Sequence, residues 1–103
     1  MGVKRKVVES PLQQGEDEAI AYILDTTNGA GSGAITNASD LIKDPFGNNV
    51  STTYLTGSVA VSGAEITTRK VSGLVKDNRY RMEVKWDQNN NTFESYFHID
   101  AEE

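Results

Sequence analysis

From Leu74 to Asp100 the chain reads LVKDNRYRMEVKWDQNNNTFESYFHID, and apolar and polar side chains alternate through both halves of it. A period of two residues sends one set of side chains into a core and the other into water, which is the signature of a half-buried strand. Tyr80, Met82, Val84 and Trp86 are expected to face inward, and Arg79, Arg81, Glu83, Lys85 and Asp87 outward. Beyond the Asn-rich turn, Phe93, Ser95, Phe97 and Ile99 face in, while Glu94, Tyr96 and His98 face out.

The rest of the chain has the same period and no sustained helical spacing. A first strand is expected over Lys4 to Glu9, stopped by Ser10 and Pro11, because proline cannot donate to a ladder. A second runs from Glu18 to Asp25 with Ile20, Tyr22 and Leu24 on one face and Ala19, Ala21 and Ile23 on the other. Both faces are apolar, which suits a central strand or a face that meets a partner. Residues 26–34, TTNGAGSGA, form a flexible glycine-rich loop, and residues 1–3 a flexible terminus. Asp40 to Asp44 begins another strand, in which either Asp40 and Ile42 share the inner face or Leu41 takes it; a buried Asp40 would need partners. DPFGNN supplies a turn around Pro45 and Gly47. Val50 to Leu55 continues as a strand, and SVAVSGAEIT reads as a hairpin turning at Ser62 and Gly63, with Val59 and Val61 facing Ile66. About seven short strands in one domain of 103 residues predict an all-β fold of two stacked antiparallel sheets.

SGLVKDNRYRMEV sets Leu74 six residues before Tyr80, with the turn residues Asp77 and Asn78 between them. The arrangement resembles the tyrosine corner of immunoglobulin-like and fibronectin type III-like domains, and it implies a phenol bonded to backbone upstream. Asp77 stands where such corners often carry Gly. SPLQQGEDEAIAYILDTT, VSTTYLTGSVAVSGAEIT and RYRMEVKW with NNTFESYFHI resemble small single-domain proteins encoded among the structural genes of tailed phages and prophages. That resemblance lies in strand and turn positions and transfers no functional residue. It implies a non-enzymatic structural or interaction module, working through protein partners in a larger assembly and located in a virion or the bacterial cytoplasm. The isolated chain is expected to be monomeric.

Composition narrows the chemistry. Ten Lys and Arg against 15 Asp and Glu give a net charge of −5, which repels phosphate backbones; the one basic cluster is Lys4 to Lys6 at a terminus. Nucleic acid and membrane are not expected partners. There is no Cys, so neither a disulfide nor a sulfur-based metal site can form. No apolar run approaches a bilayer span, and no secretion signal is read after the basic start. MGVKRK has Lys6 where a myristoylation site needs Ser or Thr.

Candidate motifs read as structure. GAGSGA, Gly29 to Ala34, matches a dinucleotide fingerprint by letter, but the ITNASD that follows is poor in helix formers, and the fingerprint works only at a helix N-terminus. Asp87, Asn89 and Asn91 open like a calcium loop, yet Thr92 occupies the position that demands Gly and His98 the one that demands Glu. His98, the only histidine, has no triad partners at a recommending spacing, and Glu16 to Glu18 reads as a solvated charge run. The sequons at Asn37, Asn49 and Asn90 are ascribed to chance. No catalytic residue, cofactor or metal is expected. The candidate interaction surface comprises Tyr54, Tyr96 and His98 together with Ala19, Ala21 and Ile23. The alternative is a carbohydrate-binding module whose platform is Tyr54 and Tyr96; Trp86, in register with Tyr80 and Val84, belongs to the core.

Overall fold

The inward set Tyr80, Met82, Val84 and Trp86 is buried in the computed structural model, which describes residues 3–6, 11–26 and 33–102. The strands in chain order are β1 (Val3–Lys6), β2 (Leu12–Gly15), β3 (Ala19–Asp25), β4 (Thr36–Lys43), β5 (Leu55–Thr56), β6 (Ala60–Ser62), β7 (Glu65–Thr67), β8 (Lys70–Ser72), β9 (Arg79–Gln88) and β10 (Asn91–Glu102), with one helical turn, α1 (Ser51–Tyr54), before β5. They form two sheets. One has the order β5-β8-β3-β7-β6, with β1 added parallel to β3, and the other the order β2-β10-β9-β4. Ten strands rather than about seven are found among the described residues, because the chain beside β3 is broken into β7 and β8 at Thr68 and Arg69 and several edge segments are very short.

The long hairpin β9–β10 is the spine of the four-stranded sheet, paired from Arg79↔Asp100 to Gln88↔Asn91. Its two-residue turn holds Asn89 at φ 55° and Asn90 at φ 63°, a left-handed pair that Asn tolerates better than most side chains. Ile20 and Tyr22 from β3 meet Phe97 and Ile99 from β10 across the core, with the Tyr22 and Phe97 rings 5.3 Å apart. Tyr80 accepts a hydrogen bond at Oη from the Val75 backbone N–H at 3.2 Å, closing the Gly73–Asn78 link onto the sheet. Asp77 takes φ 67° there, so it performs the backbone role ordinarily left to glycine. Burial pushes the Tyr80 phenol above its ordinary pKa.

Several expectations are corrected. The first strand covers Val3–Lys6 and runs parallel to β3; the predicted extension to Glu9 lies outside the described residues, as does most of the 26–34 loop. The ends of that loop are pinned: Thr26 is buried and donates to the Ala64 carbonyl, and the Gly33 carbonyl accepts from Gln88 Nε2. A Cβ on Gly33 would collide with the Asn89 side chain, so this glycine serves a close approach. Val50 to Leu55 is a helical turn with only Leu55 in strand, because side chains substitute for the ladder. Ser51 Oγ accepts the Ile42 N–H at 3.0 Å, and Asn49 Oδ1 accepts from both the Ser51 N–H and its hydroxyl. The β6–β7 hairpin turns at Gly63 and Ala64, one residue later than expected, since Ser62 still pairs with Glu65. β2, whose LQQG shows no apolar–polar alternation long enough to predict a strand, runs parallel to β10 from Leu12↔Ile99 to Gly15↔Glu102. No helix among the described residues is long and apolar enough to cross a membrane.

Candidate interaction face

The outer face of the four-stranded sheet is set by the β4–β9–β10 register. Its rows are Ser39, Lys85 and Glu94; then Leu41, Glu83 and Tyr96; then Lys43, Arg81 and His98. Asp40 and Ile42 share the inner face, so Leu41 points out, which resolves the register that the sequence left open. Thr36 and Ser39 flank a bulge where Asn37 adopts φ 54°, breaking the alternation that would have marked the start of β4.

Tyr96 is 55 % exposed. The Arg81 guanidinium carbon lies 3.9 Å from its ring centre, and the His98 ring stands edge-on to it at 5.7 Å. Tyr96 and His98 thus belong to one cluster, with Arg81 as its third member. Tyr54 does not join them: its ring packs edge-on against buried Tyr80 at 5.3 Å, on the inner side of the same sheet. The two-tyrosine platform is therefore not assembled. Ala19, Ala21 and Ile23 are half-buried positions of the other sheet, on the face of β3 opposite buried Ile20 and Tyr22.

Beside the cluster, β4 ends in the turn Asp44–Asn48. Phe46 at its tip is 88 % exposed, the most open large apolar side chain among the described residues. The turn is rigidly built. Asp44 Oδ1 accepts from the Phe46 and Asn48 N–H groups at 2.9 Å each, Oδ2 accepts from Asn48 Nδ2 at 3.2 Å, and Gly47, at φ 88°, donates to the Asp44 carbonyl at 3.0 Å. Pro45 fixes a further dihedral. Lys43, Asp44, Pro45, Gly47, Arg79, Arg81 and His98 line a depression of about 370 Å³ between this turn and the sheet. Sequence reading missed Phe46, Lys43 and Arg81 as site members; the only advance signal was an aromatic residue inside a strong turn motif.

The Asn48 backbone N–H, ahead of its other donors, holds the Asp44 carboxyl below the usual carboxylate range. A folded-state pKa below the unfolded one means that the turn is favoured above the unfolded value and loses that support as pH falls through the folded one. In a carboxyl-carbon NMR titration Asp44 should titrate below an ordinary Asp, and the Phe46 amide resonance should move in the same step. An ordinary midpoint would mean that the three bonds do not hold in solution.

The calcium-like triplet is otherwise occupied: Asp87 accepts from Asn37 Nδ2 at 2.9 Å and from the Thr92 hydroxyl at 2.7 Å, and these bonds lower its pKa. No group of three or more potential metal ligands is found among the described residues. No protein-family model matches the sequence, and no curated protein matches it. Among solved structures, the chain is similar to one titled "Solution Structure of Amebosin", at 11 % identity over 97 % of this chain and 98 % of that one, with a TM-score of 0.45, too low to carry a fold or a function across.

Proposed function

We propose that this chain is a non-enzymatic interaction module with an immunoglobulin-like strand plan, contributing to a larger protein assembly through the outer face of its four-stranded sheet. The observation that carries the reading is Phe46: a large apolar ring held out on a turn fixed by the Asp44 carboxylate, beside the Arg81, Tyr96 and His98 cluster, offers a partner an aromatic anchor next to charged groups. Two features support the immunoglobulin-like plan. β2 runs beside the last strand in parallel while β9 and β10 pair antiparallel, and a phenol closes the link before β9 as tyrosine corners do. The parallel addition of β1 to β3 departs from that plan. The assembly implied by the resemblance to phage structural proteins is a phage or prophage particle. A carbohydrate-binding role is the weaker reading, since the Tyr96 ring face that would stack on a sugar lies beneath Arg81.

A photo-crosslinking residue placed at Glu94, on the outer face, is expected to give a discrete protein adduct in the native assembly, and one placed at Val61, on the other sheet, none. Glycan binding by the purified chain without any adduct at position 94 would replace this reading with the carbohydrate one.

A further inference from the structure

The third row of the outer face is arranged against the stability of the sheet. Lys43, Arg81 and His98 stand directly opposite one another on three adjacent strands. The directly opposed like charges of Lys43 and Arg81 destabilise a sheet, and nothing in the packing requires Lys beside Arg at a surface position. Glu83, on the next row, offsets part of the repulsion: its Oε2 lies 3.1 Å from Lys43 Nζ and 3.2 Å from Arg81 Nε. These are ion-pair contacts only, because neither Glu83 Oε2 nor Arg81 Nε has a hydrogen-bond partner. The carboxylate is also the more deeply set member, 12 % exposed against 43 % for Arg81, so cations are outermost in a chain of net charge −5.

Arg81 differs from its neighbours in what its fork does. Arg69 is held by the Asp40 carboxylate and carbonyl, and Arg79 bonds Asp100 through Nε at 2.7 Å and Nη2 at 3.1 Å. Arg81 makes no side-chain hydrogen bond among the described residues, yet it is held in place by the Tyr96 ring. A guanidinium stacked on an aromatic face with its Nη donors unused is pre-organised for a planar, two-bond grip on a carboxylate.

We infer that Lys43, Arg81 and His98 form a receptor for the carboxylates of an acidic segment of a protein partner, with apolar residues of the same segment packing on Phe46. This rests on the interaction reading above and names its partner's chemistry. The depression beside Arg81 is large enough for an Asp or Glu side chain; the one carboxylate on its lining, Asp44, is turned to the Phe46 and Asn48 N–H groups and Asn48 Nδ2, and Phe46 leaves from the rim between Pro45 and Gly47. An acid followed by an apolar group satisfies both halves of the surface, which an acidic sugar does not.

The test is an amide NMR titration of the full chain with a short synthetic peptide alternating Glu with Leu, its Gln-for-Glu counterpart and an oligogalacturonate. The acidic peptide is expected to shift saturably the amides of Lys43, Phe46, Arg81 and His98, and to weaken as salt is raised. The Gln peptide should bind about tenfold or more weakly, and Arg81→Lys, which keeps the charge and loses the fork, should cost the acidic peptide a similar factor. Phe46→Ser should weaken the acidic peptide while leaving the dispersion of the spectrum unchanged. Equal binding of the Gln peptide, no saturable shift, or shifts with oligogalacturonate alone would overturn the inference. An adduct at position 94 together with a silent titration would overturn the carboxylate receptor but not the interaction module; absence of both would overturn the module too.

Discussion

Gln14→Ala is expected to lower stability by about 3 kcal/mol and the midpoint of thermal unfolding by roughly 10 to 20 °C. Gln14 is fully buried at the inner face of β2, and its amide is completely used. Nε2 donates to the Val71 carbonyl at 2.9 Å and to the Glu18 carbonyl at 3.1 Å, while Oε1 accepts the Tyr22 hydroxyl at 2.7 Å. β2 belongs to the four-stranded sheet, and Val71 and Tyr22 to the other, so this one side chain ties the two sheets together along the β2 edge. Truncation removes three buried hydrogen bonds at once, and losing one partner of a buried polar pair costs more than the net worth of the bond itself. Tyr22→Phe strands only Gln14 Oε1 and should cost about half as much. Gln14→Glu should be no better than Ala at neutral pH, since a carboxylate would then face two carbonyl oxygens, and it should recover in part on acidification. Urea unfolding at unchanged slope would measure all three. A loss under about 1 kcal/mol for Gln14→Ala would mean that water enters and satisfies the stranded groups.

The same residue marks a limit of sequence reading. LQQG looks like a polar connection because Gln at an inward position breaks the apolar–polar alternation, and its pairing with β10 spans most of the chain. β9, β10 and β3 were legible because each carries its own period over seven or more residues, and the burial of Tyr80 and Trp86 followed from that period alone. Val50 to Leu55 misled because β-branched Thr and apolar ends favour a strand locally, whereas the bonds that make it a helical turn come from Ser51 and Asn49. The outward positions of Tyr96 and His98 could be read from alternation. Their grouping with Arg81 needed the β9–β10 register, and the row with Lys43 needed the β4–β9 register between strands far apart in sequence. Phe46 was visible as a turn residue but not as an exposed one, since a turn motif says nothing about what covers its tip.

The second large effect is expected at the other edge of the four-stranded sheet. Asp40→Ala should cost about 3 kcal/mol, read as a lower urea midpoint, because it removes the carboxylate that anchors β4 to the β7–β8 break. Asp40 Oδ2 accepts the Arg69 backbone N–H at 2.8 Å, Oδ1 accepts Arg69 Nε at 2.7 Å, and Arg69 Nη2 returns to the Asp40 carbonyl at 3.0 Å. The Asp40 side chain is 1 % exposed and Arg69 28 %, so after truncation the guanidinium can swing toward water, and the loss stays near the low end for a broken buried pair. Arg69→Ala abandons a carboxylate in the interior with one backbone donor left and should cost as much. The double variant Asp40→Ala with Arg69→Ala should fall short of the sum by about 2 kcal/mol. Asp40→Val with Arg69→Leu, which removes both charges and refills the space, should lie close to the unaltered protein. Strict additivity would show that the two residues stabilise separately and that the pair does not act as a clamp. In a domain without cysteine, the Gln14 and Asp40 clamps close the two open sides between the sheets, the task for which a disulfide is otherwise available. With both edges fixed by internal polar bonds, the outer face of the four-stranded sheet can carry Lys43 directly opposite Arg81 and a bare aromatic tip at a stability cost that the core and its two clamps absorb.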